Sequence, residues 1–404
     1  MTIEIIRSYG MRFSIQKDAL KAALDVASLA VTNDAGVITS SILFKVEEDS
    51  LVLWATDRRI MVKVPTTIVE DSLHGEGSFT VEAARLSQWV GSVFDDVVDV
   101  EADANGVVME CGEAKGHFAS LDAASFPDFS KRLEDKTKLF DINPNAFVDS
   151  LKFVRPFIGE ATTNNELANN LQVTELRGRD MLATDTCSLA MFKLAEADED
   201  DALAEYVDSE ERFKITKDEI KKLISFLSKT CDLSCTVSKS DLFVVESDDG
   251  SLFGYPDTHL ALPNIPGIPV DLSEPEVWSV DKTKLQSAVK ALGATADPDD
   301  VVLEIGVAGP EGAEGVLTLK MKDALEKHDS VVKIPVVRVK SSGESVSLKV
   351  NRHFLTNPLS LYDDDEVTIG VSAHDGAQTK YVKLYEKTED DNIRICLVTL
   401  RVDL

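Results

Sequence analysis

The chain has 404 residues, 44% hydrophobic and 28% charged, a soluble globular composition with material for more than one core. Its formal net charge of −29 excludes a generally basic surface of the kind that holds nucleic acid by neutralising phosphates. It has no run of about 18 apolar residues and no secretory leader pattern, so no membrane is expected, and five scattered cysteines fit reduced thiols better than a disulfide framework.

The first patterned stretch is MRFSIQKDALKAAL (11–24). Phe13 and Ile15 stand two apart, and Leu20 and Leu24 follow at helical spacing. A period of two that turns into a spacing of four predicts a strand running into a helix, each burying one face in the same core. Three alternating runs come next, ILFKVEED, SLVLWATD and RRIMVKVP, which read as short strands. SFTVEAARLSQWV (78–90) repeats the corner through Phe79, Val81, Leu86 and Val90, before DVVDVEAD, GVVMECGE and GHFASLD. LFDINPNAFVDSLKFV (139–154) repeats it through Phe140, Ile142, Phe147 and Leu151. RFKITKDEIKKLISFL (212–227) does so through Phe213, Ile215, Ile220 and Ile224, ahead of CDLSCTVS, DLFVVESD and SLFGYPD. VWSVDKTKLQSAVKAL (277–292) carries Trp278, Val280, Leu285 and Val289; VSLKVNRHFLTNPLSLY (346–362) carries Leu348, Val350, Leu355 and Leu359.

The residue after each corner is Gln16, Glu82, Asn143, Thr216, Asp281 or Asn351. The last four are good helix N-caps, with Pro144 behind Asn143 and Glu219 completing a capping box with Thr216. The chain is therefore expected to be α+β, built from six strand–helix–three-strand units. One unit is too small to close a core, so the units are expected in pairs. A longer echo supports the pairing: LVLWATDRRIMVKV (51–64) matches DMLATDTCSLAMFKL (180–194), and VLTLKMKD keeps the position without Ala-Thr-Asp. Three domains are expected, 1–137 (with 1–10 as an extension), 138–273 and 274–404, linked near KRLEDKT (131–137) and VDLSEPE (270–276). AEADEDDALAE (195–205) reads as a loop between units, and PNIPGIP (263–269) as a stiff lead into the third domain.

Six similar helices suggest a quasi-sixfold array about an axis. Helices packed about 8–10 Å apart leave no usable hole as a ring of six, whereas twelve, from two chains, leave roughly 25 Å, enough for a DNA duplex. The helical segments carry thirteen basic residues (among them Lys21, Lys152, Arg155, Lys217, Lys221, Lys222, Lys229, Lys290 and Arg352) against seven acids. Lys152, Lys222, Lys229 and Lys290 are expected opposite, or nearly opposite, the apolar stripes. A basic helix face on so acidic a chain predicts loose, sequence-independent contact with double-stranded DNA there and repulsion elsewhere.

These features together resemble the bacterial DNA polymerase III β sliding clamp family. They are the paired units, the Ala-Thr-Asp turns, FPD in ASFPDF (124–129), YPD then LP in GYPDTHLALP (254–263), and the closing run LVTLRVDL (397–404). The resemblance runs from Met11 to Leu404. It implies three DNA-clamp domains with helices on the inner face and sheets on the outside of a homodimeric ring, without catalytic activity or cofactor. It further implies a replicative DNA polymerase and a clamp loader as partners, and a location in the bacterial cytoplasm or nucleoid or a phage-infected cell. Partner peptides would dock in a groove formed by Leu167, Thr184, Thr186, Leu189, Pro256, Leu260 and Ala261 with Leu400, Val402 and Leu404. The dimer contact would join Phe118 in the first domain to the third domain around Leu292. The chain departs from the family at Cys187-Ser188 in place of His-Arg, at Leu260 in place of Arg, and at Asp403 in place of a penultimate Arg. Such changes fit a phage-encoded or distant bacterial member.

Two other readings are weaker. An enzyme is disfavoured because no GxxxxGK[ST], GxSxG or HExxH motif occurs, the six histidines are dispersed, and DEDD (198–201) and DDDE (363–366) read as solvated loops. Cys231 and Cys235 lack a second pair at ligand spacing, so no metal is expected. An acidic interaction protein that mimics DNA fits the net charge, but the basic helices oppose it.

Overall fold

The computed structural model describes residues 10–47, 50–103, 105–160, 169–195, 203, 206, 211–232, 234–265, 270–294, 302–308, 314–322, 329–340, 346–372 and 381–399. Six modules follow one another, each a strand, a helix and three strands. The first is β1 (Met11–Gln16), α1 (Lys17–Ala27), β2 (Ser41–Glu47), β3 (Ser50–Thr56) and β4 (Met61–Thr66). The second is β5 (Gly77–Glu82), α2 (Ala83–Val90), β6 (Val97–Asp103), β7 (Gly106–Cys111) and β8 (Ala114–Phe118). The third is β9 (Thr137–Ile142), α3 (Pro144–Val154), β10 (Val173–Arg177), β11 (Asp180–Thr184) and β12 (Ser188–Lys193). The fourth is β13 (Phe213–Thr216), α4 (Lys217–Thr230), β14 (Cys235–Lys239), β15 (Leu242–Ser247) and β16 (Leu252–Pro256). The fifth is β17 (Glu276–Asp281), α5 (Lys282–Gly293), β18 (Val302–Ala308), β19 (Glu314–Lys322) and β20 (Asp329–Lys340). The sixth is β21 (Val346–Asn351), α6 (His353–Leu359), β22 (Glu366–Ser372), β23 (Tyr381–Lys387) and β24 (Ile393–Thr399).

Pairing obeys one rule throughout. The first strand of each module pairs antiparallel with the second strand of its sister: β1 with β6, β5 with β2, β9 with β14, β13 with β10, β17 with β22 and β21 with β18. The closing strands then join across pairs, β4 to β16 and β12 to β24. With β20 also pairing β17 inside the fifth module, three sheets result, of four, eight and twelve strands. The chain packs as two compact units: one takes the described residues up to Val148 with Asp218–Asp257, the other Asp149–Lys217 with the described residues from Thr258 on. The four- and eight-stranded sheets lie in the first unit and the twelve-stranded sheet in the second.

The six apolar quartets are the core, because a strand side chain and a helix side chain from each corner meet over one sheet face. Phe13, Ile15, Leu20 and Leu24 are all buried, as are their counterparts in the other modules except at two positions. The side chain of Leu348 lies outside those described, and Ile224 is only half-buried. In α4 the buried stripe runs through Ile220, Leu223, Phe226 and Leu227 instead, so the helix is rotated from the expected setting.

Two of the expected caps close their helices. Asn143 Oδ1 accepts from Asn145 N–H (2.9 Å) and Ala146 N–H (3.2 Å), and Asp281 Oδ1 accepts from Lys284 N–H at 2.8 Å. The sixth helix starts later than expected, at His353, so Arg352 and not Asn351 stands immediately before it.

Candidate peptide groove and basic helix faces

The Ala-Thr-Asp echo is one hydrogen-bonded turn built twice. After β3, Thr56 Oγ1 donates to Ile60 O (2.7 Å) and accepts from Arg58 N–H (2.8 Å), while Asp57 Oδ1 accepts from Arg59 N–H (2.9 Å) and Ile60 N–H (2.7 Å). After β11, Thr184 Oγ1 donates to Ser188 O (2.6 Å) and accepts from Thr186 N–H (3.3 Å), while Asp185 Oδ1 accepts from Cys187 N–H (2.9 Å) and Ser188 N–H (2.7 Å). Both turns force the next residue to positive φ, 76° at Arg58 and 83° at Thr186.

The second turn opens the candidate groove. On β10, β11, β12, β24 and β23 one cross-strand row reads Glu175, Leu182, Met191, Ile395, Tyr385; the next row on the same face contains Thr184, Leu189 and Leu397. Leu171, Val173, Leu182, Met191, Leu262 and Ile395 form one apolar cluster, and Leu260, Ile265 and Val270 from the following coil pack against it. Phe192, the alternate residue on β12, instead meets Phe153 of α3 at 6.1 Å, so the groove face is turned away from that helix. Of the expected groove residues, Thr184 and Leu189 are half-buried neighbours across a strand pair, Leu260 lines the cluster, and Thr186 and Ala261 are exposed. Pro256 is half-buried at the end of β16 in the other unit. Leu167, Leu400, Val402 and Leu404 lie outside the described residues. Leu397 was not expected; its apolar β position two residues before Thr399 was the available signal.

The basic residues fall into two groups. Lys21, Lys221 and Lys290 are exposed on α1, α4 and α5. Lys152 is exposed 3.7 Å from Asp149, and Lys229 is exposed with its ammonium donating to Asp25 O at 3.3 Å. The others are engaged or partly covered. Lys217 lies 3.0 Å from Glu160, whose carboxyl it holds below the usual carboxylate range. Lys222 lies 3.1 Å from Asp57, and beside it Arg59 reaches buried Glu219 at 2.7 Å, so α4 is tied to the first Ala-Thr-Asp turn by two ion pairs. With the stripe through Leu223 and Leu227, Lys222 sits on the flank of α4 and not opposite its apolar side, a correction to the periodicity reading. Arg155 is half-buried in a 3-10 turn. Arg352 is half-buried with its guanidinium against Gly293 at the end of α5, where a Cβ would collide with it.

Residues 11–130 match the family model of the DNA polymerase III beta subunit, N-terminal domain. Comparison with curated proteins by sequence gave no match. Among solved structures, the Pseudomonas aeruginosa sliding clamp (DNA polymerase III subunit beta) bound to griselimycin is 18% identical with a TM-score of 0.77, over 98% of this chain and 100% of that one. The Bartonella birtlesii sliding clamp bound to griselimycin is 16% identical with a TM-score of 0.76, over 98% and 100%. The Thermotoga maritima beta subunit is 16% identical with a TM-score of 0.74, over 97% and 100%.

The chain has the bacterial sliding-clamp fold, and its residues 11–130 match the N-terminal domain of the DNA polymerase III beta family. Sliding clamps of that family are processivity factors and not enzymes. Among the described strands β8 is an edge strand; Phe118 ends it, half-buried, with its ring edge-on to Trp89 at 5.8 Å. Leu292 is 1% exposed within the core of α5, so its side chain is not available to a second copy. Cys235 Sγ donates to Ile142 O at 3.6 Å and Cys231 Sγ lies 3.6 Å from Thr230 Oγ1, and no group of three or more metal-ligating side chains occurs among the described residues. Asp363 pairs with Arg394 at 2.7 Å in the loop before β22, while residues 198–201 lie outside the described residues. No helix among the described residues is long and apolar enough to cross a membrane.

Proposed function

We propose that the chain is a DNA polymerase processivity factor that encircles duplex DNA as a head-to-tail homodimer and tethers polymerase and other replication proteins through the groove beside Leu189 and Leu260. One observation supports the dimer most strongly. Closing strands join in pairs, the first module to the fourth (β4 with β16) and the third to the sixth (β12 with β24). The second and fifth modules are left over. β8 has β7 on one side only, and β20 meets β17 only from Val337 to Lys340, leaving Val331–Val336 with β19 alone among the described strands. Such edges are liabilities unless covered. A second copy supplies β20 for β8 and β8 for β20, and the pairing rule then closes on itself with two chains and twelve helices. The contact proposed near Leu292 passes to β20 for this reason.

In this reading the helices line the opening. Exposed Lys21, Lys221, Lys229 and Lys290, with Lys152, meet the phosphates. Lys217, Lys222, Arg155 and Arg352 contribute through the field of the lumen while also holding the helices in place. A clamp loader of the host or phage opens the ring, and the working compartment is the bacterial cytoplasm or nucleoid, or that of a phage-infected cell. Griselimycin, bound by two of the structural relatives, is taken as a ligand of the groove. Retention on circular DNA that is lost on linearisation is the expected behaviour. Equal retention on both, or competition for DNA-binding proteins without retention, would favour the DNA mimic.

A further inference from the structure

We propose that Glu175 and Arg177 are positioning residues for the partner groove: their ion pair grips the backbone of Leu262 and thereby sets the coil that walls the groove. This rests on the groove reading above and assigns two residues to it that neither the sequence motifs nor the resemblance supplied.

Glu175 lies on β10 at the end of the row that runs through Leu182, Met191 and Ile395, and its side chain is 0% exposed. Its Oε1 accepts from Leu262 N–H at 2.6 Å. Its Oε2 accepts from Arg177 Nε–H at 2.9 Å, with Arg212 at 3.7 Å. Arg177 Nη2 in turn donates to Leu262 O at 2.9 Å and Pro263 O at 3.1 Å. One ion pair therefore takes both the N–H and the C=O of Leu262, as a neighbouring strand would. No strand among the described residues runs through 257–265.

A buried carboxylate beside an apolar cluster is costly unless it is paired and hydrogen-bonded, and here every strong contact it makes leads to one point on the coil. Charge-assisted hydrogen bonds are strong and directional, so they fix that point in position as well as in depth. Leu262 is thereby held in the cluster, Leu260 packs against the same cluster two residues earlier, and Ala261 is left exposed between them. The groove wall is ordered before a partner arrives. Releasing the latch would transfer the cost of ordering that coil to the binding step.

The test uses the full-length protein with griselimycin as the probe, comparing wild type with Glu175→Gln, Glu175→Ala and Arg177→Met by titration and amide hydrogen exchange. Affinity is expected to fall about tenfold in Glu175→Ala and less in Glu175→Gln, which keeps an acceptor for the Leu262 N–H. Exchange is expected to accelerate at Leu260 and Leu262 while Met191 on β12 stays protected. Unchanged affinity in folded Glu175→Ala overturns the proposal. So does acceleration spread evenly through the unit, which would mark a general stability role. If wild type takes no griselimycin, the groove reading fails, and the latch stands or falls on whether Leu262 exchange responds to Glu175→Ala.

Discussion

Asp57 and Asp185 make the same two backbone hydrogen bonds at the same corner of two turns, one after β3 and one after β11. Each turn is closed by the preceding threonine, and each drives the following residue into the left-handed region. The first turn also anchors α4 through Lys222, whereas the second lies beside the candidate groove. One local solution thus serves two tasks.

The strain at the second turn is testable. Thr186 is β-branched and sits at φ 83°, where only residues such as Gly and Asn are comfortable. Thr186→Gly is expected to raise stability by about 1 kcal/mol in urea unfolding, because relief of the strained dihedral exceeds the added freedom of the unfolded chain. Asp185→Ala is expected to lower it by about 1–3 kcal/mol, by leaving two turn amides without their acceptor.

Two aspartates should move stability with pH in opposite directions. Burial raises the Asp180 carboxyl above the ordinary aspartate range, against the pull of Lys193 at 3.6 Å. Its contribution favours the fold at low pH and is lost as the pH rises through about 3.9 towards the folded value. Asp141 also feels burial, but hydrogen bonds from Lys138 and Thr236 more than offset it and hold its carboxyl low. Its contribution is present above about 3.9 and is lost as the pH falls through the lower folded value. Urea midpoints are therefore expected to be higher than wild type for Asp180→Asn at neutral pH and lower for Asp141→Asn, both differences shrinking in acid.

A buried ion pair in the second unit gives a larger effect. Lys383 and Glu274 are both 0% exposed, 3.1 Å apart, and Tyr381 OH donates to the same carboxylate oxygen at 3.2 Å. Lys383→Met is expected to cost about 3–5 kcal/mol, since it strands a buried charge. Adding Glu274→Gln should recover most of the loss, and a double-mutant cycle reads the coupling.

The exposed and engaged lysines should separate experimentally. Lys221→Ala or Lys290→Ala is expected to reduce the salt slope of DNA association by about 0.9 for each phosphate that the lysine neutralised, with little change in folding. Lys222→Ala should instead weaken the fold, by no more than about 1 kcal/mol for a pair this exposed to solvent.

The corners were legible because both halves of each bury the same face: Phe13 with Leu20, or Trp278 with Leu285, announce a strand and a helix in one stroke. Asn143 and Asp281 were legible as caps for the same local reason. Ile224 misled because α4 carries more apolar residues than one stripe can bury, and tertiary packing chose Leu223 and Leu227. Lys222 and Asp57 stand 165 residues apart, and Glu175 and Leu262 stand 87 apart. No spacing rule reaches that far, so the pairing of a lysine that looks solvent-facing, and the latch on the groove wall, appear only in three dimensions. Leu292 itself is buried because a helical apolar position at stripe spacing is core first.

The central claim is that β8 and β20 are completed by a second copy. The mass of the protein in free solution tests it most directly, measured by sedimentation equilibrium alongside Lys115→Pro on β8, which removes an edge donor. The account predicts twice the 44.1 kDa of one chain, with the variant shifted towards the single-chain mass. A wild-type mass of one chain at every concentration would contradict it.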